Sequence, residues 1–279
     1  MKKINPADVL IYVFFALIVI MFIGPIIWMI SLSLKTKEEI FTYPPRFLPK
    51  VFALTNYIQV LLSSRIPLYL WNSVKITVIS VLGNLLVVIP AVFAFSRMRF
   101  KFRDQWLFII LMFQMISPLI TAIPLYRYFV TLGLLNSHTG LIVIYITTQI
   151  PFSVWLLKGF FDSIPKELDE SAFIDGCKPY QILFSVILPL AVPGIAAALV
   201  FNIVNCWGQF IVPFIFINHT EKFPIAVGIL QYLQSQTEGE VTTQLLAAAS
   251  VIALLPAMLI IIILQKFIVE VLVAGAVKE

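Results

Sequence analysis

Hydrophobic residues in this chain come in long runs separated by short polar stretches. A helix needs about twenty mostly apolar residues to cross roughly 30 Å of hydrocarbon. About six windows meet that length, near 9–31, 72–95, 106–125, 139–157, 187–217 and 245–269. The fifth is long and holds Pro189, Pro193 and Pro213, so a kink or a break is expected in it. The pattern predicts an all-α, polytopic membrane protein with about six transmembrane helices, a single transmembrane domain over residues 1–279. Composition agrees: 61% hydrophobic residues and a mean hydropathy of +1.01 do not suit a water-soluble domain. Lys2 and Lys3 precede the first window as in a secretion signal. Its apolar core is longer than a signal's, and no small-x-small cleavage site follows, so it reads as a retained span.

Loop charge sets the orientation. Arg97, Arg99, Lys101 and Arg103 crowd the second loop, which is placed inside. With six spans, both termini and the segment 158–186 are then cytoplasmic. The first outer loop carries Lys35, Lys37, Arg46, Lys50 and Arg65 and works against this assignment, so the density of the second loop decides. Tyr69 and Trp71 suit the outer interface as aromatic anchors. The net charge of +5 is spread among loops, and no basic patch for nucleic acid is visible.

The most informative segment lies between the fourth and fifth windows. It reads Ser163-Ile-Pro-Lys-Glu-Leu-Asp-Glu-Ser-Ala-Phe-Ile-Asp-Gly-Cys-Lys-Pro-Tyr-Gln181. Ser163 can cap a helix with Pro165 two residues on. Glu167, Asp169 and Glu170 fall where the helix dipole favours acids. Leu168 and Ala172 are four apart and share a face. Asp175-Gly176 ends the helix, because glycine takes the left-handed conformation without penalty. Pro179 starts a second helix. Ser171 and Ala172 are small enough for another protein's backbone to approach. The segment predicts a helix-turn-helix on the membrane surface, shaped to be gripped by a partner.

No phosphate loop of the Gly-x-x-x-x-Gly-Lys-Ser/Thr type occurs, so the chain is not expected to hydrolyse ATP. No Gly-x-Ser-x-Gly elbow occurs either. His138 and His219 fall in outer loops, and no Cys/His cluster has metal-ligand spacing. Cys177 and Cys206 are too far apart along helical chain for an intrachain disulfide. Residues 179–220 and 241–265 contain no Asp, Glu, Lys or Arg. A charge at a span's centre costs about 2.5–3.5 kcal/mol and marks ionic solutes or proton paths. Its absence argues for a neutral solute and against proton coupling. Gln114, Ser117 and Thr121 are spaced to share one face of the third span, and Asn202, Asn205 and Gln209 one face of the fifth. These amides and hydroxyls either line a solute pathway or hydrogen-bond between helices.

The acidic segment resembles the EAA loop of the membrane-spanning subunits of bacterial ABC importers. Further motifs are similar to the carbohydrate-type permeases, and to the MalG-like member of each permease pair. These are Ser31-Leu-Ser-Leu-Lys-Thr36, Asn72-Ser73, Ala94-Phe-Ser-Arg-Met-Arg-Phe100, Ile123-Pro-Leu-Tyr126, Leu132-Gly-Leu-Leu-Asn136 and the terminal Ala274-Gly-Ala-Val-Lys278. Ser171 stands where that family has its first Ala, Cys177 where it has another, and Gly208 where an Asn is usual. The resemblance implies a subunit of a multi-pass machine in a bacterial or archaeal cytoplasmic membrane. A second, related permease completes a heterodimeric pore. Two cytosolic ATPases carry ATP and Mg, so this chain needs no cofactor of its own. The resemblance also implies an extracytoplasmic solute-binding protein that delivers the solute, and with the charge-free spans the expected solute is a neutral sugar or oligosaccharide. Glu167, Glu170, Ser171, Ala172, Asp175 and Gly176 match the ATPase-coupling motif, and the C-terminal tail docks on the ATPases as well. The alternatives are an importer permease for another solute, such as glycerol phosphate or a peptide, or a non-ABC secondary transporter.

Overall fold

The computed structural model describes residues 6–237 and 242–276, which contain helices and connecting loops and no strand. In chain order the helices are α1 (Pro6–Ser33), α2 (Lys37–Ile40), α3 (Thr55–Ser63), α4 (Ile66–Arg97), α5 (Arg103–Gln114) and α6 (Pro118–Thr131). Then come α7 (His138–Ser163), α8 (Glu167–Ile174), α9 (Pro179–Gln181), a π-helical stretch (Ile182–Ile187) and α10 (Leu188–Leu190). The series ends with α11 (Val192–Gly208), α12 (Ile211–Phe216), a 3-10 turn (Thr220–Lys222), α13 (Ile225–Thr237) and α14 (Thr243–Ala276).

Among the described residues four helices are long and apolar enough to cross a membrane alone, within α1, α4, α7 and α14. Two bent pairs, α5 with α6 and Pro179–Leu190 with α11, bring the count to six where each pair makes one span. The second pair bends by 79° at Ala191, between Pro189 and Pro193, where the sequence led us to expect a break. The window 187–217 is nevertheless not one helix. Its helical run begins earlier, at Pro179, and α11 stops at Gly208, with Pro213 in the separate α12. The third window is also interrupted. Ser117 is extended (φ −60°, ψ 131°) because Pro118 follows it, and a residue before proline avoids the helical region.

Packing divides the chain into two units, 1–67 with 228–255, and 68–227 with 256–279. In the first, the most apolar stretch of α1 buries nothing within the chain, as suits a helix apolar on every side and facing lipid. Its C-terminal end is polar and buried. Ser33 Oγ pairs with Tyr57 OH at 2.5 Å, and Asn56 Nδ2 donates to the carbonyls of Ser33 and Lys35, both at 2.9 Å. Ser31 Oγ donates to Phe47 O. Lys35, 3% exposed, donates to Arg46 O and lies 4.8 Å over the Trp28 ring. The Ser31–Thr36 motif therefore folds the loop that follows α1 back onto its own helix end.

In the second unit α4 is inside-out relative to a soluble helix. Thr77, Ser80, Asn84, Val88, Val92 and Ser96 recur at helical spacing and are buried, while Val78, Ile79, Leu82, Leu86 and Val87 are exposed. Asn84 and Ser96 thus find hydrogen-bond partners inside, while the aliphatic face is left to lipid. The packed core runs through Val88, Val92, Phe93, Val154, Leu157, Phe161, Ile164, Ala172, Ile182, Ile187 and Ala198. Gly194 lets α11 approach α7, since a Cβ there would sit 2.4 Å from Phe160 Cγ. Tyr69 is not an outer anchor: it is 3% exposed, with its ring 6.3 Å from that of Phe223, whereas Trp71 is exposed.

Candidate functional site

The coupling segment starts later than its sequence suggests, because α7 continues to Ser163. Ser163 does not cap α8. Its Oγ donates backward to Phe160 O at 2.7 Å, satisfying the end of α7 instead. Ile164 is extended (φ −79°, ψ 126°) ahead of Pro165, and its side chain is buried. The N–H groups of Asp169 and Glu170 then bond to Lys166 O at 3.0 and 3.1 Å, which starts α8. Glu167, Asp169 and Glu170 occupy its first turn. Gly176 takes φ 84°, and two bonds close the other end: Gly176 N to Phe173 O and Cys177 N to Ala172 O, each 3.0 Å. That pair is the Schellman arrangement, and it explains why Asp175-Gly176 stops the helix.

The structure separates the coupling residues by face. Ala172 is 8% exposed and belongs to the core, so it is not available to a partner. Glu167, Glu170, Ser171, Asp175 and Gly176 are exposed. Beside them stand Phe173 and Ile174, 69% and 84% exposed. The outward face of α8 is thus acidic with two large apolar side chains at its end, a surface suited to a groove on another protein. Leu168 is 41% exposed and does not share Ala172's buried position.

Arg97 is read from sequence only as a mark of the inner loop. In the structure its side chain is 7% exposed and ties the segment to α4. Its Nε lies 2.5 Å from Asp169 Oδ2, and its Nη2 donates to Ile164 O at 3.0 Å. Next to it Ser96 Oγ donates to Asp162 Oδ1 at 2.6 Å, and Lys158 pairs with the other oxygen of Asp162 at 2.5 Å. Burial raises the Asp169 carboxyl above its ordinary value, and the Arg97 guanidinium offsets only part of that rise. Arg97 and Asp169 line a cavity of about 430 Å³ with Phe93, Met98, Glu170 and Phe173.

The two polar trios do not form as the spacing implied. Gln114 ends α5, Ser117 caps α6 and Thr121 lies within α6; all three are exposed, but the break at Pro118 keeps them off one continuous helix face. Asn202 has no exposed surface. Its Nδ2 donates to Asn84 Oδ1 at 2.9 Å, and its Oδ1 accepts from Ser153 at 3.1 Å. Asn84 in turn donates to Ile146 O at 3.1 Å. Asn202 is therefore an interhelical tie between α11, α4 and α7, and not a wall of a pathway. Asn205 is exposed, and Gln209 has left the helix with ψ 114°. Cys206 is buried and accepts from Gln149 Nε2 at 2.9 Å.

A third tie lies at the other end of α4. Asn72 Nδ2 donates to the carbonyls of Glu221 and Phe223 at 2.9 and 3.1 Å, and Ser73 Oγ accepts from Ile225 N at 2.7 Å. Asn136, at φ 60°, accepts from the N–H groups of Asn218 and His219 at 2.7 and 3.0 Å. Residues 277–279 of the tail fall outside the described residues.

With this geometry in hand, comparison with known proteins is specific. Residues 83–272 match the family described as binding-protein-dependent transport system inner membrane component. The chain is 32% identical over 254 residues to the sulfoquinovosyl glycerol transport system permease SmoH of Agrobacterium fabrum, covering 91% of this chain and 88% of that one. It is 32% identical over 270 residues to the galactooligosaccharides transport system permease GanQ of Bacillus subtilis, covering 96% and 94%. To the maltose/maltodextrin permease MalG of Escherichia coli it is 34% identical over 219 residues, covering 76% and 72%. A chain of a bacterial ABC transporter for import of the acidic polysaccharide alginate superposes with a TM-score of 0.82 at 22% identity, covering 95% of this chain and 99% of that one, a likeness of fold. The long apolar helices and these matches together make the chain a multi-pass permease subunit rather than an enzyme, and it belongs to the binding-protein-dependent transport system inner membrane component family.

Proposed function

We propose that this chain forms one half of the pore of an ATP-driven importer for a neutral sugar or oligosaccharide. A second, related permease supplies the other half. Two cytosolic ATPases, which bind ATP and Mg, grip α8 through Glu167, Glu170, Ser171, Asp175 and Gly176, and an extracytoplasmic protein delivers the solute. Ala172 supports the grip from inside. Both termini and the coupling segment lie in the cytoplasm. Three relatives named for glycosidic solutes support the saccharide class. The observation that carries neutrality is the absence of Asp, Glu, Lys and Arg from 179–220, which includes α11 and the bend before it. A charged solute passing that region meets no countercharge from it. Gln114, Ser117, Thr121 and Asn205, all exposed, are the polar side chains offered to hydroxyls.

One observation favours an acidic saccharide instead. Arg127 and Tyr126 of α6 line a cavity of about 320 Å³ with Leu119, Ala122, Ile123 and Ile215. A guanidinium there is suited to a carboxylate or sulfonate. Reconstitution of the importer in proteoliposomes separates the two. ATP-dependent uptake of radiolabelled uncharged oligosaccharides, with none of uronic-acid oligosaccharides, is the expected result. Uptake restricted to the acidic set, and lost in Arg127→Gln, overturns the neutral reading.

A further inference from the structure

We propose that Arg97 is a positioning residue that fastens the docking helix α8 to α4, so that movement of α8 is carried along α4 to the outer segment 221–225. This rests on the reading of α8 as the ATPase dock. The helix α4 runs over 32 residues with Pro90 inside it, between its middle and inner ties, about 48 Å at 1.5 Å per residue. Polar ties hold it at three levels. At the inner end are Ser96 with Asp162, and Arg97 with Ile164 O and Asp169. In the middle Asn84 joins α11 through Asn202 and α7 through Ile146 O. At the outer end Asn72 and Ser73 hold Glu221, Phe223 and Ile225. A helix fastened at both ends and in the middle moves as a rod. It cannot let α8 shift while its far end stays in place unless one tie opens.

The inner tie is the one that joins α8 itself to the rod. An exposed ion pair could not do this, since water and salt would screen it and the side chains would swing. Arg97 is different because its side chain is 7% exposed and that of Asp169 17%. The guanidinium also meets two targets, the Asp169 carboxylate through an ion pair and the Ile164 carbonyl through a hydrogen bond from Nη2, and a lysine ammonium lacks its spread of donors. Arg97 Nε and Nη1 and Asp169 Oδ1 have no hydrogen-bond partner among the described residues, so the contact with Asp169 is an ion pair alone, the approach of Nε to Oδ2, with no hydrogen bond to replace it. Packing adds to the fastening: Ala172 of α8 and Phe93 of α4 are in the same core.

The test uses the whole importer in proteoliposomes, with Cys177→Ser, Cys206→Ser and a reporter Glu221→Cys. Labelling of the reporter by an impermeant maleimide is timed with and without ATP plus vanadate. The unmodified rod should give at least a threefold change in labelling rate. Arg97→Ala should keep the ATPases on purification yet lose most of that change. Asp169→Asn, which is isosteric and guards against a folding defect, should lose it too. The swap Arg97→Asp with Asp169→Arg should recover more of the change than either single variant. A purely structural role for the pair predicts lost assembly, not this rescue. Retention of the full change in both single variants, or a well-assembled swap with no recovery, overturns the assignment of Arg97. Failure of the ATPases to purify with the unmodified permease refutes the docking reading, and with it the inference.

Discussion

Gly176→Val separates the conformation of the docking turn from its contacts. Gly176 sits at φ 84°, and a Cβ built on it meets nothing within 4 Å. The whole cost of a side chain is therefore backbone strain, about 1–2 kcal/mol for an L-residue in the left-handed region. The branched Cβ of valine places the variant at the upper end. A penalty of that size lowers the population of the closed turn by a factor of about 5–30. The two bonds from Gly176 N and Cys177 N open with it, and the last turn of α8 frays. We expect normal insertion, weaker co-purification of the ATPases, and ATP-driven uptake reduced about tenfold. Gly176→Asn should retain most of the uptake, since asparagine visits this region readily. Gly194→Ala is the contrasting case. Its Cβ would lie 2.4 Å from Phe160 Cγ, so its cost is overpacking, about 1–3 kcal/mol, read as a lower thermal midpoint of the purified permease. Full uptake by Gly176→Val, with the ATPases bound as usual, would refute the reasoning.

Asn202→Leu should lower the thermal midpoint and the yield of assembled permease, because it strands Asn84 and Ser153 in the core at about 1–3 kcal/mol for an unsatisfied group. Asn205→Leu should leave stability unchanged and alter only the concentration dependence of uptake; equal stability of the two variants would contradict the assignment of Asn202 as a tie. For the orientation, Lys178→Cys in a background without Cys177 and Cys206 should resist an impermeant maleimide in intact cells and react in inside-out vesicles, and rapid labelling in intact cells would reverse the topology.

The apolar windows locate the helices well because a span has to be apolar over a fixed length whatever its neighbours are. The stop at Asp175-Gly176 is equally local, since it follows from the conformational freedom of one residue. What escapes is whatever depends on a distant partner. Arg97 counts as one loop charge in sequence, and its role depends on Ile164 and Asp169, which lie 67 and 72 positions along the chain. Asn202 carries the periodicity of a pathway residue, but periodicity does not say whether a polar face looks toward a pore or toward Asn84 and Ser153. Ser163 has the composition of a cap, yet α7 extends far enough to use its hydroxyl first. Pro118 breaks the third window for a local reason, the restriction on Ser117, which an apolarity count does not register.

The docking helix α8 has only eight residues. A helix that short does not persist alone in water, where about 12–15 residues are needed for even marginal helicity. What keeps it folded is Ala172 in the same core as Val88, Leu157 and Ile187. The helix therefore exists only once α4, α7 and the stretch before α11 have packed together in the bilayer. This imposes an order on biogenesis. If α8 is the ATPase dock proposed above, a half-inserted or misassembled permease offers no formed handle and recruits no ATPase. Amide exchange in α8 should accordingly be lost and regained together with that of the buried spans, and not as a separately fraying loop.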